Sequence, residues 1–205
     1  LIRKLIRQGY EAYFLLIAVG DTELHHSGLV ASEVRNLEYD KYVRQLGGKW
    51  LTGYFPIAED TKLDIVANRD LISQIEKVIG QLEPDTLICQ APSFHQDHTA
   101  TYKAAMAAIR PTARFFPREV LLMENSTYLH SLGPSTDFKP TTYCELSEEE
   151  MEEKISCFME CFPSQVRGQD NILSPEGIRN FGRYRAFECR APHYAEAFMT
   201  FIRKI

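Results

Sequence analysis

The sequence predicts an α/β fold, with a mostly parallel sheet covered by helices on both faces. Short apolar runs alternate with longer segments of helical periodicity, the pattern of strand–helix–strand units. The strand-like runs are continuously apolar rather than alternating, as befits strands buried on both faces. The 205 residues, 44% hydrophobic and 25% charged, read as a single domain spanning residues 1–205 with room for a sizeable core.

Residues 1–8 carry apolar side chains at 1, 2, 5 and 6, one face of a helix, and Gly9 is a natural stop. No capping residue precedes this helix and no initiator methionine opens the chain. The expectation is therefore that the chain starts partway through a domain, with a strand and loop upstream. It lacks the charged and then apolar segments of a signal peptide. Residues 12–19 form a continuous apolar run closed by Gly20-Asp21, read as a buried strand. A polar loop over 21–28 leads to a helix over 29–46, ended by Gly47-Gly48. Residues 50–55 are a second strand, and 65–82 a third helix. Pro84-Asp85 introduces a strand over 86–89, and a helix over 99–110 stops at Pro111. Further strands fall at 120–123 and 141–146. Ser147 then caps a helix, with Glu150 placed to close a capping box. The acidic run Glu148-Glu149-Glu150 favours that N-terminus and reads as a solvated first turn. A final helix is expected over 193–203. The sum is a Rossmann-like three-layer α/β/α sandwich with right-handed connections. Gly-rich dinucleotide and P-loop fingerprints are absent.

Composition excludes several functions. The net charge of −5 gives no general nucleic-acid footprint. No apolar run reaches the length needed to span a bilayer. Five scattered cysteines, an odd number, read as reduced thiols in a cytoplasmic compartment rather than a disulfide framework. Cys157 and Cys161, spaced i, i+4, read as small apolar residues on one helix face more readily than as metal ligands.

The most informative segment is His95-Gln96-Asp97-His98, between the strand at 86–89 and the following helix. Ligands and catalytic groups in such folds gather at the carboxyl ends of strands. In a helical turn His95 and His98 face the same side. One reading makes His98 a metal ligand, His95 a proton donor or electrostatic stabiliser, and Asp97 the carboxylate that tunes an imidazole. The plainer reading is a polar loop with Asp97 as an N-cap and surface histidines. Spacing alone slightly favours the plainer one.

The surrounding residues change that balance. Ser93-Phe94-His95-Gln96-Asp97-His98-Thr99-Ala100, with Ala104-Ala105 and Ala107-Ala108-Ile109-Arg110-Pro111 behind it, resembles the second motif of the LmbE/PIG-L zinc-dependent N-deacetylases. Residues 5–11 resemble the helix and turn after the family's first motif. Arg35-Asn36-Leu37-Glu38 resembles its R-x-x-E helix, and Asp60-Thr61-Lys62-Leu63 its D-x-x-L step. Pro84-Asp85, Ser164-Gln165 and Ala195-Glu196-Ala197-Phe198 resemble later markers, in the family's order. The family's H-P-D-D-E motif is not in this sequence. In the family it supplies two of three zinc ligands and the general base.

The resemblance implies a hydrolase that removes an N-acetyl group from an N-acetylglucosamine-type sugar or sugar conjugate, with Zn2+ as cofactor. It implies His98 as the ligand of that Zn2+ or of another divalent metal in its place, His95 as oxyanion stabiliser or acid, and Asp97 as its tuning carboxylate. It also implies Arg35 as a substrate contact, against an even chance of a plain ion pair with Glu38. Two alternatives stand beside this reading: a metal-free carbohydrate-binding remnant of the same fold, and a metal-dependent amidase acting on a non-sugar amide. The partner expected is a small-molecule sugar or glycoconjugate. Other features read as less telling: His25-His26 as an exposed pair, Tyr128, His130 and Gly133-Pro134 as a possible substrate wall, Asn125-Ser126-Thr127 as a sequon without use in the cytoplasm, and Arg183, Arg185 and His193 as surface charge.

Overall fold

A computed structural model describes residues 1–51, 62–128 and 138–205. In chain order these form α1 (Ile2–Arg7), β1 (Tyr13–Phe14), β2 (Thr22–Leu24), β3 (Gly28–Val30), α2 (Ser32–Leu46) and β4 (Lys49–Trp50). A 3-10 turn (Leu63–Ile65) then precedes α3 (Asn68–Leu82), β5 (Thr86–Gln90), α4 (Gln96–Ala108), β6 (Glu119–Met123) and β7 (Thr142–Leu146). The chain closes with α5 (Glu148–Cys161), a 3-10 turn (Pro163–Gln165), α6 (Pro175–Cys189) and β8 (Tyr194–Arg203). Most of the expected strand at 50–55, the Asp60-Thr61 part of the D-x-x-L step, His130 and Gly133-Pro134 lie outside the described residues.

The elements gather into two compact units, Leu1–Asp60 with Tyr143–Glu196, and Thr61–Thr142 with Ala197–Ile205. In the second unit β5 and β6 run parallel, from Thr86 opposite Glu119 to Gln90 opposite Met123. Part of β8 adds to β6 in the antiparallel sense, Met123 facing Phe198 and Glu119 facing Arg203. Val120, Leu121 and Leu122 are all buried, which is why this strand reads as an unbroken apolar run. Helix α3 buries Leu71, Ile75, Val78 and Ile79, one face at helical spacing. It packs on α4, which offers only Ala100, Ala104, Ala105 and Ala108 as buried apolar side chains and lies against β5. Those small residues leave its N-terminal turn to be fixed by polar contacts.

In the first unit β1 and β4 pair in parallel, and β2 and β3 form an antiparallel hairpin. Gly47, at φ +80°, ends α2 in the left-handed region. A side chain at Gly48 would collide with the Phe14 ring, so glycine lets β4 approach β1. Helix α5 packs on α2 and on α6. Leu146, Met151 and Ile155 form its core, with Cys144, Ile178 and Tyr194 against them. The expected capping box is formed: Ser147 Oγ accepts from Glu150 N–H at 3.2 Å, and Glu150 accepts from Ser147 N–H at 2.9 Å. Cys157 and Cys161 are buried on α5, where burial pushes the Cys157 thiol up to about 11. These are apolar core thiols, and all five cysteines are free.

Among the described residues the architecture is a mixed α/β fold with small, mixed sheets, which does not confirm the mostly parallel sandwich expected. The β1–β4 and β5–β6 pairings are parallel, but β2–β3 and β6–β8 are antiparallel. The segment expected as a helix over 193–203 is strand β8. Its first buried positions, Ala195 and Ala197, alternate, and aromatic or β-branched residues follow at Phe198, Thr200, Phe201 and Ile202. Helix α6, for which the sequence reading offered no element, is started by the Ser174 cap and Pro175 at its first position. Within the run at 12–19, Tyr13–Phe14 pair in a ladder with Lys49–Trp50, and Ala18 makes a further β-bridge. The helix expected over 29–46 begins at Ser32, because residues 28–30 are taken by the hairpin.

Candidate active site

The site begins where β5 runs out. Ala91 N–H still bonds Met123 O at 2.8 Å, after which the chain leaves the sheet and turns into α4. Ser93 organises that turn. Its Oγ accepts the His95 N–H at 3.2 Å and lies 2.7 Å from His98 Nδ1, while its carbonyl accepts from Thr99 Oγ1 at 3.0 Å. His95 is the N-cap of α4. Its ring Nδ1 accepts the backbone N–H of Asp97 at 3.3 Å, taking the place usually held by a serine or aspartate oxygen. The imidazoles of His95 and His98 stack, with centroids 4.6 Å apart and planes 23° from parallel. Both rings are half-buried.

Asp97 is one of few buried charged residues among those described, at 5% exposure. Its Oδ1 accepts the Leu63 N–H at 2.9 Å, tying the 3-10 turn before α3 to the first turn of α4. The Asp97 backbone amide donates to His95 Nδ1, and its carboxylate accepts from the Leu63 N–H. The N-cap is His95, two residues before the aspartate proposed for that post.

Tyr128 completes the group. Its ring stands edge-on to His95 at 5.9 Å and to His98 at 5.4 Å. A turn after β6 puts it there: Tyr128 N–H bonds Asn125 O at 3.0 Å, and Asn125 Oδ1 accepts Thr127 N–H and Oγ1–H at 2.9 and 2.6 Å. The Asn125-Ser126-Thr127 triplet thus serves as an Asx turn. Sequence reasoning named Tyr128 only as a possible wall and gave Ser93 no role. The signals were a serine five residues before His98 and an Asn-x-Thr turn after a strand.

The hydrogen bonds also set protons. A backbone N–H can only donate, so His95 Nδ1 is an acceptor and the neutral ring carries its proton on Nε2. With His98 Nδ1 engaged by Ser93, a metal on His98 would bond Nε2. The arrangement fits one ligand of a metal centre. Among the described residues no group of three or more His, Cys, Asp or Glu is placed to hold an ion, so these residues do not make a complete centre.

Arg35 belongs to the other unit, on α2, where its Nη1 donates to Thr22 Oγ1 at 2.6 Å. Among the described residues the Glu38 carboxylate is spent on Ser164 rather than on Arg35, accepting from its N–H at 2.9 Å and its Oγ at 2.7 Å. Two markers of the resemblance, the R-x-x-E helix and Ser164, therefore meet in one half-buried contact. His26 reaches Ser164 O at 2.9 Å and also touches Arg167. Burial, then the Arg167 charge, lowers its pKa. Arg183 caps the carbonyls of Pro192 and His193, Arg185 pairs with Glu188, and His193 faces Glu148. No helix among the described residues is long and apolar enough to cross a membrane.

Fold and candidate site together define an α/β protein whose polar groups gather at the N-terminus of a helix that follows a parallel strand. The family of GlcNAc-PI de-N-acetylases (PIG-L) matches residues 1–109, more than half of the 205, and the chain belongs to that family. It is by class an N-deacetylase. No curated protein matches the chain. Among solved structures, a conserved protein of Thermus thermophilus is similar at 20% identity and TM-score 0.73, covering 100% of this chain and 87% of that one. The N,N'-diacetylchitobiose deacetylase of Pyrococcus horikoshii is similar at 19% identity and TM-score 0.69, covering 98% and 76%. A zinc-inhibited form of teicoplanin deacetylase is similar at 15% identity and TM-score 0.69, covering 97% and 90%. At these identities the likeness is one of fold.

Proposed function

We propose that this chain removes the N-acetyl group from an N-acetylglucosamine-type sugar or sugar conjugate, in a site built on His95, Asp97 and His98. The observation that carries this reading is the stacked pair of imidazoles at the start of α4, one of which holds its proton on Nε2. As the acetamide carbonyl becomes tetrahedral, charge builds on its oxygen. The His95 Nε2–H is the donor for that oxygen, or for the departing amine nitrogen. Asp97 acts through His95 as a positioning residue: its amide fixes the ring and its buried carboxylate fixes the turn. His98 Nε2 is the chain's contribution to a divalent metal, which we propose to be Zn2+. Bound there, the ion supplies Lewis-acid polarisation of the carbonyl and a more acidic water. Arg35 is proposed as a substrate contact through its planar, always charged guanidinium. The five free thiols support a reducing, cytoplasmic setting.

The test is acetate release from a panel of N-acetylhexosamines and their conjugates, with and without added Zn2+. Turnover of at least one sugar amide supports the proposal. Turnover of non-sugar acetamides alone favours the amidase reading. Saturable sugar binding without acetate release favours the binding remnant.

A further inference from the structure

The hydroxyl of Ser93 touches both catalytic candidates: it accepts the backbone N–H of His95 at 3.2 Å and sits 2.7 Å from His98 Nδ1. A serine hydroxyl has one proton and two acceptor lone pairs. With one lone pair used by His95, it can either donate to a bare His98 Nδ1 or accept from a protonated one. An imidazole must deprotonate Nε2 to bond a cation there, and then its neutral form carries the proton on Nδ1. A backbone amide in Ser93's place would allow one tautomer and a carbonyl the other. The hydroxyl allows both without moving the ring. Its own position is fixed independently, since the Ser93 carbonyl is held by Thr99 Oγ1 at 3.0 Å. Tyr128, edge-on to both rings, holds the stack from the side.

We infer that Ser93 is a positioning residue: its hydroxyl anchors the stacked His95–His98 pair and lets His98 change tautomer in place, so that Nε2 can present either a proton or a lone pair. This deepens the proposed use of His98 and rests on it for its catalytic meaning, but the hydrogen bond itself is tested separately.

The experiment is ring-nitrogen NMR of the full chain, 15N-labelled at histidine, comparing wild type with Ser93→Ala, Ser93→Thr and Ser93→Cys. In the wild type His98 Nδ1 should show the shift of a hydrogen-bonded nitrogen. Ser93→Ala should lose that shift, Ser93→Thr should restore it, and Ser93→Cys should fall between, answering the question if the alanine variant does not fold. In parallel, Ser93→Ala should lower kcat on the best substrate of the panel by roughly 10–100-fold with KM little changed, the effect of a misplaced group rather than of lost binding. Ring signals of His98 that are identical in wild type, Ser93→Ala and Ser93→Cys would overturn the inference. So would a threonine variant that behaves as alanine does. A wild type that hydrolyses nothing defeats the proposed function, while the ring-nitrogen comparison still decides the role of Ser93.

Discussion

Helices α4 and α5 have similar lengths and opposite N-termini. Helix α5 closes on itself: Ser147 and Glu150 satisfy each other's backbone amides, and Glu148, Glu149 and Glu150 face its positive end. Its polar groups are spent on folding. Helix α4 is capped by an imidazole, at 3.3 Å, and its other first-turn groups are tied to Ser93 and Leu63. Each of its two imidazoles is held at Nδ1. A helix start that serves stability and the one we propose for chemistry use the same orphan amides. They differ in whether the capping atom belongs to a group that can also donate or ligate.

That contrast yields predictions in descending size. His95→Ala should lower turnover of the best N-acetyl sugar by about 10²–10⁴-fold while sparing metal binding. His98→Ala should remove metal binding and turnover together. Steady-state assays and metal analysis of the purified variants check both, and a His98→Ala variant with full activity and bound zinc would sink the assignment. Asp97→Ala strips the Leu63 N–H of its buried acceptor and should cost about 1–3 kcal/mol in urea unfolding. Asp97→Asn, which keeps an oxygen for that amide, should cost less; equal losses would mean that the charge, not the bond, matters there. At the other helix, Ser147→Ala should cost about 1 kcal/mol and leave turnover unchanged.

The α5 cap should also respond to pH. Burial pushes the Glu150 carboxyl up, but the Ser147 N–H and the nearby Lys4 outweigh it, and the group sits below its ordinary value. A carboxylate depressed in the folded state contributes stability above its unfolded pKa, roughly 4.3, and loses it as pH falls through the lower folded value. The stability gap between wild type and Glu150→Gln should therefore be constant above about pH 5 and shrink below about pH 4.3. A gap that widens on acidification would contradict this sign.

The cap of α5 was fully legible in the sequence because Ser147 and Glu150 are three residues apart and interact through one helical turn. The same locality made α3, β5 and β6 readable. Helix α6 and strand β8 were not. The first followed a segment with no strong apolar period. The second has the length and apolar content of a short helix, and its conformation is set by pairing with β6, about 80 residues away in sequence. At the site, the spacing of His95 and His98 gave their shared face, but the bond from Asp97 to Leu63 and the approach of Tyr128 join residues about 30 positions apart.

By itself, then, the sequence determined the capped start of α5, the strand that leads into the candidate site, the two imidazoles on one turn, and, through the order of its markers, the family. Only the tertiary structure decided the direction of the sheet strands, the cap that is a histidine rather than an aspartate, and the partners of Asp97 and His98. Local patterns encode contacts made within one turn, whereas these features arise from hydrogen bonds whose partners meet only after the chain has folded.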